Sequence, residues 1–94
     1  MNAMLPSDQL ILDSGRITGI DPTAIVSAGR DQEVVRVRWA IMRVLRGKGW
    51  STARIGRKLG GRDHTTVMHG LARAAAIYVA DADFAWLCDQ VAAA

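Results

Sequence analysis

The sequence predicts an all-α fold: a compact bundle of five to six helices containing a helix-turn-helix. Apolar residues recur at three- and four-residue spacing through most of the chain, and no segment sustains the alternation of a half-buried strand. Capping residues and glycines punctuate the chain at helix-length intervals. Two helices joined by a glycine-containing turn of about three residues, the second longer and polar at its start, give the helix-turn-helix its pattern.

The elements follow in order. Pro6-Ser7 precedes a weakly amphipathic helix over Asp8 to Ile17, in which Gly15 is an unfavourable residue. Asp21 caps a short second helix with Pro22 at its first position, and Gly29 ends it. The third helix, about Gln32 to Arg46, carries Val34, Val37, Ile41, Val44 and Leu45 at helical spacing and closes at Gly47 and Gly49. Ser51 caps the fourth, Thr52 to Leu59, with Ala53, Ile55 and Leu59 as inward positions. After the tight connection Gly60-Gly61-Arg62, Asp63 caps a fifth helix over His64 to Val79, whose inward stripe is Val67, Leu71, Ala74 and Tyr78. Asp81 begins a sixth, with Phe84, Leu87, Cys88 and Val91 on one stripe.

A chain of 94 residues, half of them apolar, has room for one domain. We divide it into residues 1–20, a helical N-terminal segment of unassigned role, and a domain over 21–94. There is neither an 18-residue apolar run nor a basic region followed by an apolar one at MNAMLPSDQL, so a cytoplasmic protein with no membrane partner is expected. The single Cys88 has no disulfide partner in the chain and reads as a buried, reduced thiol.

The net charge of +3 hides an asymmetry. Residues 30–62 hold ten cations against two anions, a local excess of +8, whereas the flanking segments are acidic. That is the footprint of a polyanion-binding surface, although basic helices also occur as solvated faces. Gly56 to Asp63, GRKLGGRD, has the glycine spacing of a P-loop but places Arg62 and Asp63 where a lysine and a hydroxyl belong, so no nucleotide is expected. His64 and His69 do not share the i, i+4 spacing of a ligand pair, and no nucleophile-base-acid set occurs. Neither a metal, a cofactor nor an enzymatic activity is expected.

Opposite the apolar stripe of the fifth helix lie Thr65, Thr66, His69 and Arg73, beginning at its N-terminal end, where a recognition helix meets base edges. Thr offers a methyl or hydroxyl, Asp accepts from cytosine N4, and His donates or packs. Asp63, Thr65 and Thr66 are equally ordinary helix-start residues, so capping and readout both stay open. Arg38 projects inside the apolar arc of the third helix. Either it snorkels to a phosphate or it pairs with a carboxylate such as Glu33. Arg36 and Arg43 share the outward face of that helix, where Trp39 lies beside them in position to pack under Arg43.

The string GGRDHTTVMHG, Gly60 to Gly70, resembles the signature of the C-terminal DNA-binding domain of the bacterial replication initiator DnaA. VRVRWAIMRVL, STARIGRKLG and DADFAWLCDQVAAA are similar to the family's other helices, so the resemblance covers about residues 21 to 93. It implies the DnaA C-terminal-domain fold, Trp-repressor-like in its helix-turn-helix, and sequence-specific binding of double-stranded DNA at a DnaA-box-like site, in replication initiation or its regulation. By position it implies base contacts from Asp63, His64, Thr65 and Thr66, a minor-groove contact from Arg30, and a phosphate contact from Arg38. Arg62, Ser51, Arg36 and Arg73 complete the candidate phosphate contacts. The chain departs from the family in having one arginine, Arg30, in a loop that usually carries several cations, and Ala53 where proline is common. With no room for the family's nucleotide-binding domain, either an excised fragment or a stand-alone relative is expected, the second slightly favoured, with a monomer favoured over a dimer. A helix-turn-helix transcriptional regulator with its own operator is the alternative. A protein-interaction module for the replication machinery, using Phe84, Trp86 and Leu87 or the first helix, is a third reading.

Overall fold

The computed structural model describes residues 6–94. Residues 1–5, the start of the segment read above as free of a targeting signal, lie outside them. The described chain forms α1 (Pro6–Thr18), α2 (Pro22–Ile25), α3 (Gln32–Gly47), α4 (Thr52–Lys58), α5 (His64–Ala80) and α6 (Ala82–Ala93), with no strand among the described residues. The all-α expectation holds, and α3 to α6 fall within a residue or two of their expected bounds. No described helix is long and apolar enough to cross a membrane.

Local chemistry sets where the helices begin. The Asp21 carboxylate accepts from the Thr23 N–H at 2.9 Å, Asp31 from Glu33 at 3.0 Å and Asp63 from Thr66 at 2.8 Å. The Ser51 hydroxyl accepts from Arg54 at 3.2 Å, and Asp81 accepts from both Asp83 and Phe84. Each such bond satisfies an amide that the helix itself cannot, stabilising the helix by about 1 kcal/mol.

Packing then builds around α3, which touches the other five helices. Val37, Ile41 and Leu45 of α3 meet Leu10 and Ile11 of α1, Ile25 of α2, Ile55 of α4, Val67 of α5 and Val91 of α6 in one apolar cluster. Ala40, Ala74, Phe84 and Cys88 form a second, smaller one. Cys88 is buried as expected, and burial pushes its thiol up from the ordinary range, away from thiolate reactivity. Because Leu10 and Ile11 belong to the main cluster, α1 shares the core of the helices that follow it.

Four expectations are corrected. α2 stops at Ile25 rather than running toward Gly29. Ala53 is exposed, since only Ile55, Gly56 and Leu59 of the α4 segment turn inward. Phe84, on the apolar stripe of the sixth helix but also named with Trp86 and Leu87 as a docking surface, is 1% exposed and fills the space between α3 and α5, which takes it out of that surface. Arg43 lies over the Tyr78 ring, 4.1 Å from its centroid, and Trp39 instead carries Arg73.

Gly15 is required by packing although it is a poor helix former. A methyl group there would lie 2.7 Å from the Ile20 carbonyl oxygen and 2.8 Å from the Pro22 ring, where the chain turns back across α1. Gly15→Ala should therefore lower stability by about 1–3 kcal/mol, despite a helix-propensity gain of about 1 kcal/mol, as urea unfolding would show.

Candidate nucleic-acid interface

The N-terminal turns of α5 present one polar face. Val67, Gly70 and Ala74 are buried against α3 and α4, which turns His64, Thr65, Thr66, His69 and Arg73 to the exposed side. The expected readout set is thus accessible together on the first three turns. Asp63 meanwhile caps the helix with one carboxylate oxygen, and Thr66 supplies the capped amide, so for these two the capping reading is realised in the folded chain. That hydrogen bond from the Thr66 N–H holds the Asp63 carboxyl below its ordinary range. His64 is oriented by the preceding helix of the motif: its Nδ1 and the Thr52 hydroxyl share a 2.7 Å hydrogen bond. Nε2 is then the ring nitrogen left to face a partner, a donor if Thr52 donates to Nδ1 and an acceptor if it accepts.

Arg73 lies over the Trp39 ring at 5.5 Å from its centroid, and His69 meets the same indole edge-on at 6.4 Å. Trp39 of α3 therefore forms a shelf under the second and third turns of α5. Between α3, the α2–α3 loop, the Gly60–Arg62 turn and this part of α5 runs a concavity of about 660 Å³, lined by Arg30, Trp39, Thr66 and His69 among others.

Arg38 corrects the strongest expectation about phosphate contact. It is 4% exposed. Its Nε donates to the Ile25 carbonyl at 2.7 Å, Nη1 to Gly29 at 2.6 Å, and Nη2 to Ala24 at 3.0 Å and Ser27 at 2.8 Å. Four of its five N–H donors are spent on the carbonyls at the end of α2 and in the loop after it, and it forms no ion pair with Glu33. This is why α2 ends early: the carbonyls that a longer helix would bond internally face the guanidinium instead.

Arg62 takes a related position. Its guanidinium donates to the Leu59 carbonyl and, at 2.6 Å, to the Ser27 carbonyl, which Arg38 also bonds. Burial lowers the pKa of both arginines, and for Arg38 the neighbouring Arg62 charge adds to this, yet both remain cationic. Gly60 lets the two segments approach: it has φ +90°, and a Cβ there would run into the Val26 carbonyl oxygen. The two arginines thus fasten the loop bearing Arg30 to the turn that launches α5. Arg30 itself is exposed, with no ion pair or side-chain hydrogen bond among the described residues.

Arg36 is corrected as well. It pairs with Asp81 at 3.0 Å and lies over the Phe84 ring at 5.3 Å. Asp81 caps the far end of α5, roughly 25 Å from His64 by helical rise, so Arg36 lies away from the exposed polar residues at the start of that helix. Ser51 is exposed, and its hydroxyl oxygen accepts from Arg54 to cap α4, which leaves the O–H to donate outward. Lys58 is held by Asp8 of α1 at 2.6 Å. The Trp39 shelf and the structural use of Arg62 went unread in the sequence, where only the nearness of Trp39 to the basic face hinted at the former.

A short capped helix packed against a longer one with an outward polar N-terminal face, the two joined by a glycine turn, defines a helix-turn-helix domain. The family model described as "Bacterial dnaA protein helix-turn-helix" matches residues 15–74, and this chain belongs to that family. It is similar to the chromosomal replication initiator protein DnaA of Herpetosiphon aurantiacus, with 45% identity over 65 residues, 68% of this chain and 14% of that protein. The protein of the same name from Thermomicrobium roseum is 50% identical over 48 residues, 50% of this chain and 10% of the relative. The matched segments thus span a seventh or less of these curated relatives.

Replacing Arg38 by methionine should cost about 3 kcal/mol or more without any DNA present, because four carbonyls lose a charged donor. Lysine should recover only part of it, lacking the planar fork; thermal unfolding of the free protein checks both. Because the Asp63 pKa is lowered on folding, its contribution is present above the unfolded value, about pH 4, and is lost as pH falls through the folded one. Asp63→Asn should remove part of the acid-side decline in the thermal midpoint, since an amide oxygen accepts from Thr66 at every pH.

Proposed function

We propose that this chain binds double-stranded DNA sequence-specifically at a DnaA-box-like site, acting in replication initiation or its regulation. The observation that carries the reading is the exposed face of His64, Thr65, Thr66 and His69 on a helix start that is otherwise packed and capped. Such a helix enters the major groove end-on, with its first turns deepest. In this reading His64, Thr65 and Thr66 read base edges. Asp63, whose carboxylate caps α5, has a second oxygen free to accept from a base amine. Arg30 reaches the adjacent minor groove from a loop held in place by Arg38 and Arg62. Arg73 on its indole shelf meets phosphate. Ser51, beside the start of the motif, contributes a hydroxyl to the backbone. The domain acts by binding alone, as one cytoplasmic monomer per asymmetric site, without nucleotide, metal or catalysis.

The similarity of the chain to proteins named chromosomal replication initiators supports the replication setting, as does the family's helix-turn-helix. The occupied state of Arg36, Arg38 and Lys58 reduces the cations available to a duplex, so log K should fall with log salt at a slope of roughly −4. Selection of bound sites from random duplexes, followed by titration of the selected site, tests the reading. His64→Ala should weaken the selected site by about 1–3 kcal/mol and leave random DNA almost unchanged, whereas Arg73→Ala should weaken both. No enrichment in the selection, or a flat salt response, would sink it.

A further inference from the structure

Two surface features remain unused by the proposed DNA face, and they are complementary to each other. One is a knob. Trp86 of α6 is 57% exposed, on the side of the helix away from Phe84, Cys88 and Val91. Asp83, one turn earlier, and Glu33 at the start of α3 line the same shallow groove beside it. Neither carboxylate has a cation within 4.0 Å among the described residues, and the nearby Arg36 is already held by Asp81. The other is a hole of about 660 Å³ between the end of α3, the middle of α5 and the end of α6. Val44 and Leu71 lie in it, and Arg43, Arg46 and Lys48 rim it. Its one carboxylate, Asp89, accepts from the Tyr78 hydroxyl at 2.9 Å and keeps its charge, so three cations stand against one anion around an apolar floor.

We propose that the domain associates head to tail with a second copy of itself. Trp86 of one copy enters the hole of the next, and Asp83 and Glu33 come to lie against Arg43, Arg46 and Lys48. Cavities of this size accept aromatic rings, and opposite charges around an apolar insertion select its orientation. At 100° per residue, Asp83, Trp86 and Leu87 occupy one flank of α6 and Asp89 and Ala92 the other. A copy therefore cannot fill its own hole, and each added copy leaves one knob and one hole free. Leu71 and Tyr78 point from the side of α5 opposite His69 and Arg73, so the contact leaves the proposed DNA face open. Its footprint is smaller than the roughly 800 Å² per partner of a stable complex, so the association is weak in free solution and gains from any scaffold that holds copies side by side.

Sedimentation equilibrium of the full chain without DNA, up to about 1 mM protein, tests this independently of the DNA reading. The average mass should rise with concentration above that of the monomer, and less so in high salt. Trp86→Ala and the double variant Arg46→Glu/Lys48→Glu should each stay monomeric while keeping the helical circular dichroism of the parent. Their equimolar mixture should stop at a dimer, one partner supplying the hole and the other the knob. A wild-type chain that stays monomeric, a Trp86→Ala variant that associates like the parent, or a mixture that remains monomeric would overturn the proposal.

Discussion

The geometry of the interface hangs on two guanidinium groups and the carbonyl oxygens they gather. Arg38 and Arg62 arrive from different parts of the chain and meet at the Ser27 carbonyl, one from within the core and the other from the turn before α5. A buried cation is tolerated only when its donors are satisfied, and here backbone dipoles satisfy them in place of a carboxylate. Carbonyls at the end of a one-turn helix are natural partners, because most of them have no amide of their own, Ala24 with the Ser27 N–H being the exception. The result couples segments that sequence keeps apart: the end of α2 and the loop carrying Arg30, the middle of α3, and the turn before α5.

That coupling gives the polar face of α5 its setting. Aliphatic packing of Val67 and Ala74 against α3 fixes which way the helix is rotated, and the Thr52 hydroxyl fixes the His64 ring. Trp39 supports Arg73 from below. Side chains held in this way lose less freedom on meeting a partner, which is how a small domain concentrates recognition in few residues. Cations elsewhere are diverted to structural duty: Arg36 joins α3 to α6, and Lys58 joins α4 to α1. A large basic excess in one third of the chain therefore overstates the charge available to a polyanion.

The family to which the chain belongs is a helix-turn-helix family, and the match runs from within α1 to within α5. α6 lies beyond it, yet Phe84, Cys88 and Val91 are buried as deeply as the residues of the matched region. Much of α1 precedes the match, and its Leu10 and Ile11 enter the main core. Both terminal helices are thus part of the folded unit.

Read without coordinates, the sequence determined the fold class, six helices and most of their limits, because periodicity and caps are local properties. Asp21, Ser51, Asp63 and Asp81 announce helix starts whatever surrounds them, and the outward face of α5 follows from counting residues around a helix. The sequence also showed that Arg38 sat anomalously among apolar neighbours. What it could not supply was the partner of that arginine, since a carbonyl thirteen residues away carries no side-chain signature. Only the tertiary structure decided between phosphate, Glu33 and backbone, just as only it placed Arg36 beside Asp81 and Arg43 over Tyr78. These outcomes depend on which helix packs against which, and long-range packing leaves its trace in three dimensions rather than in spacing along the chain.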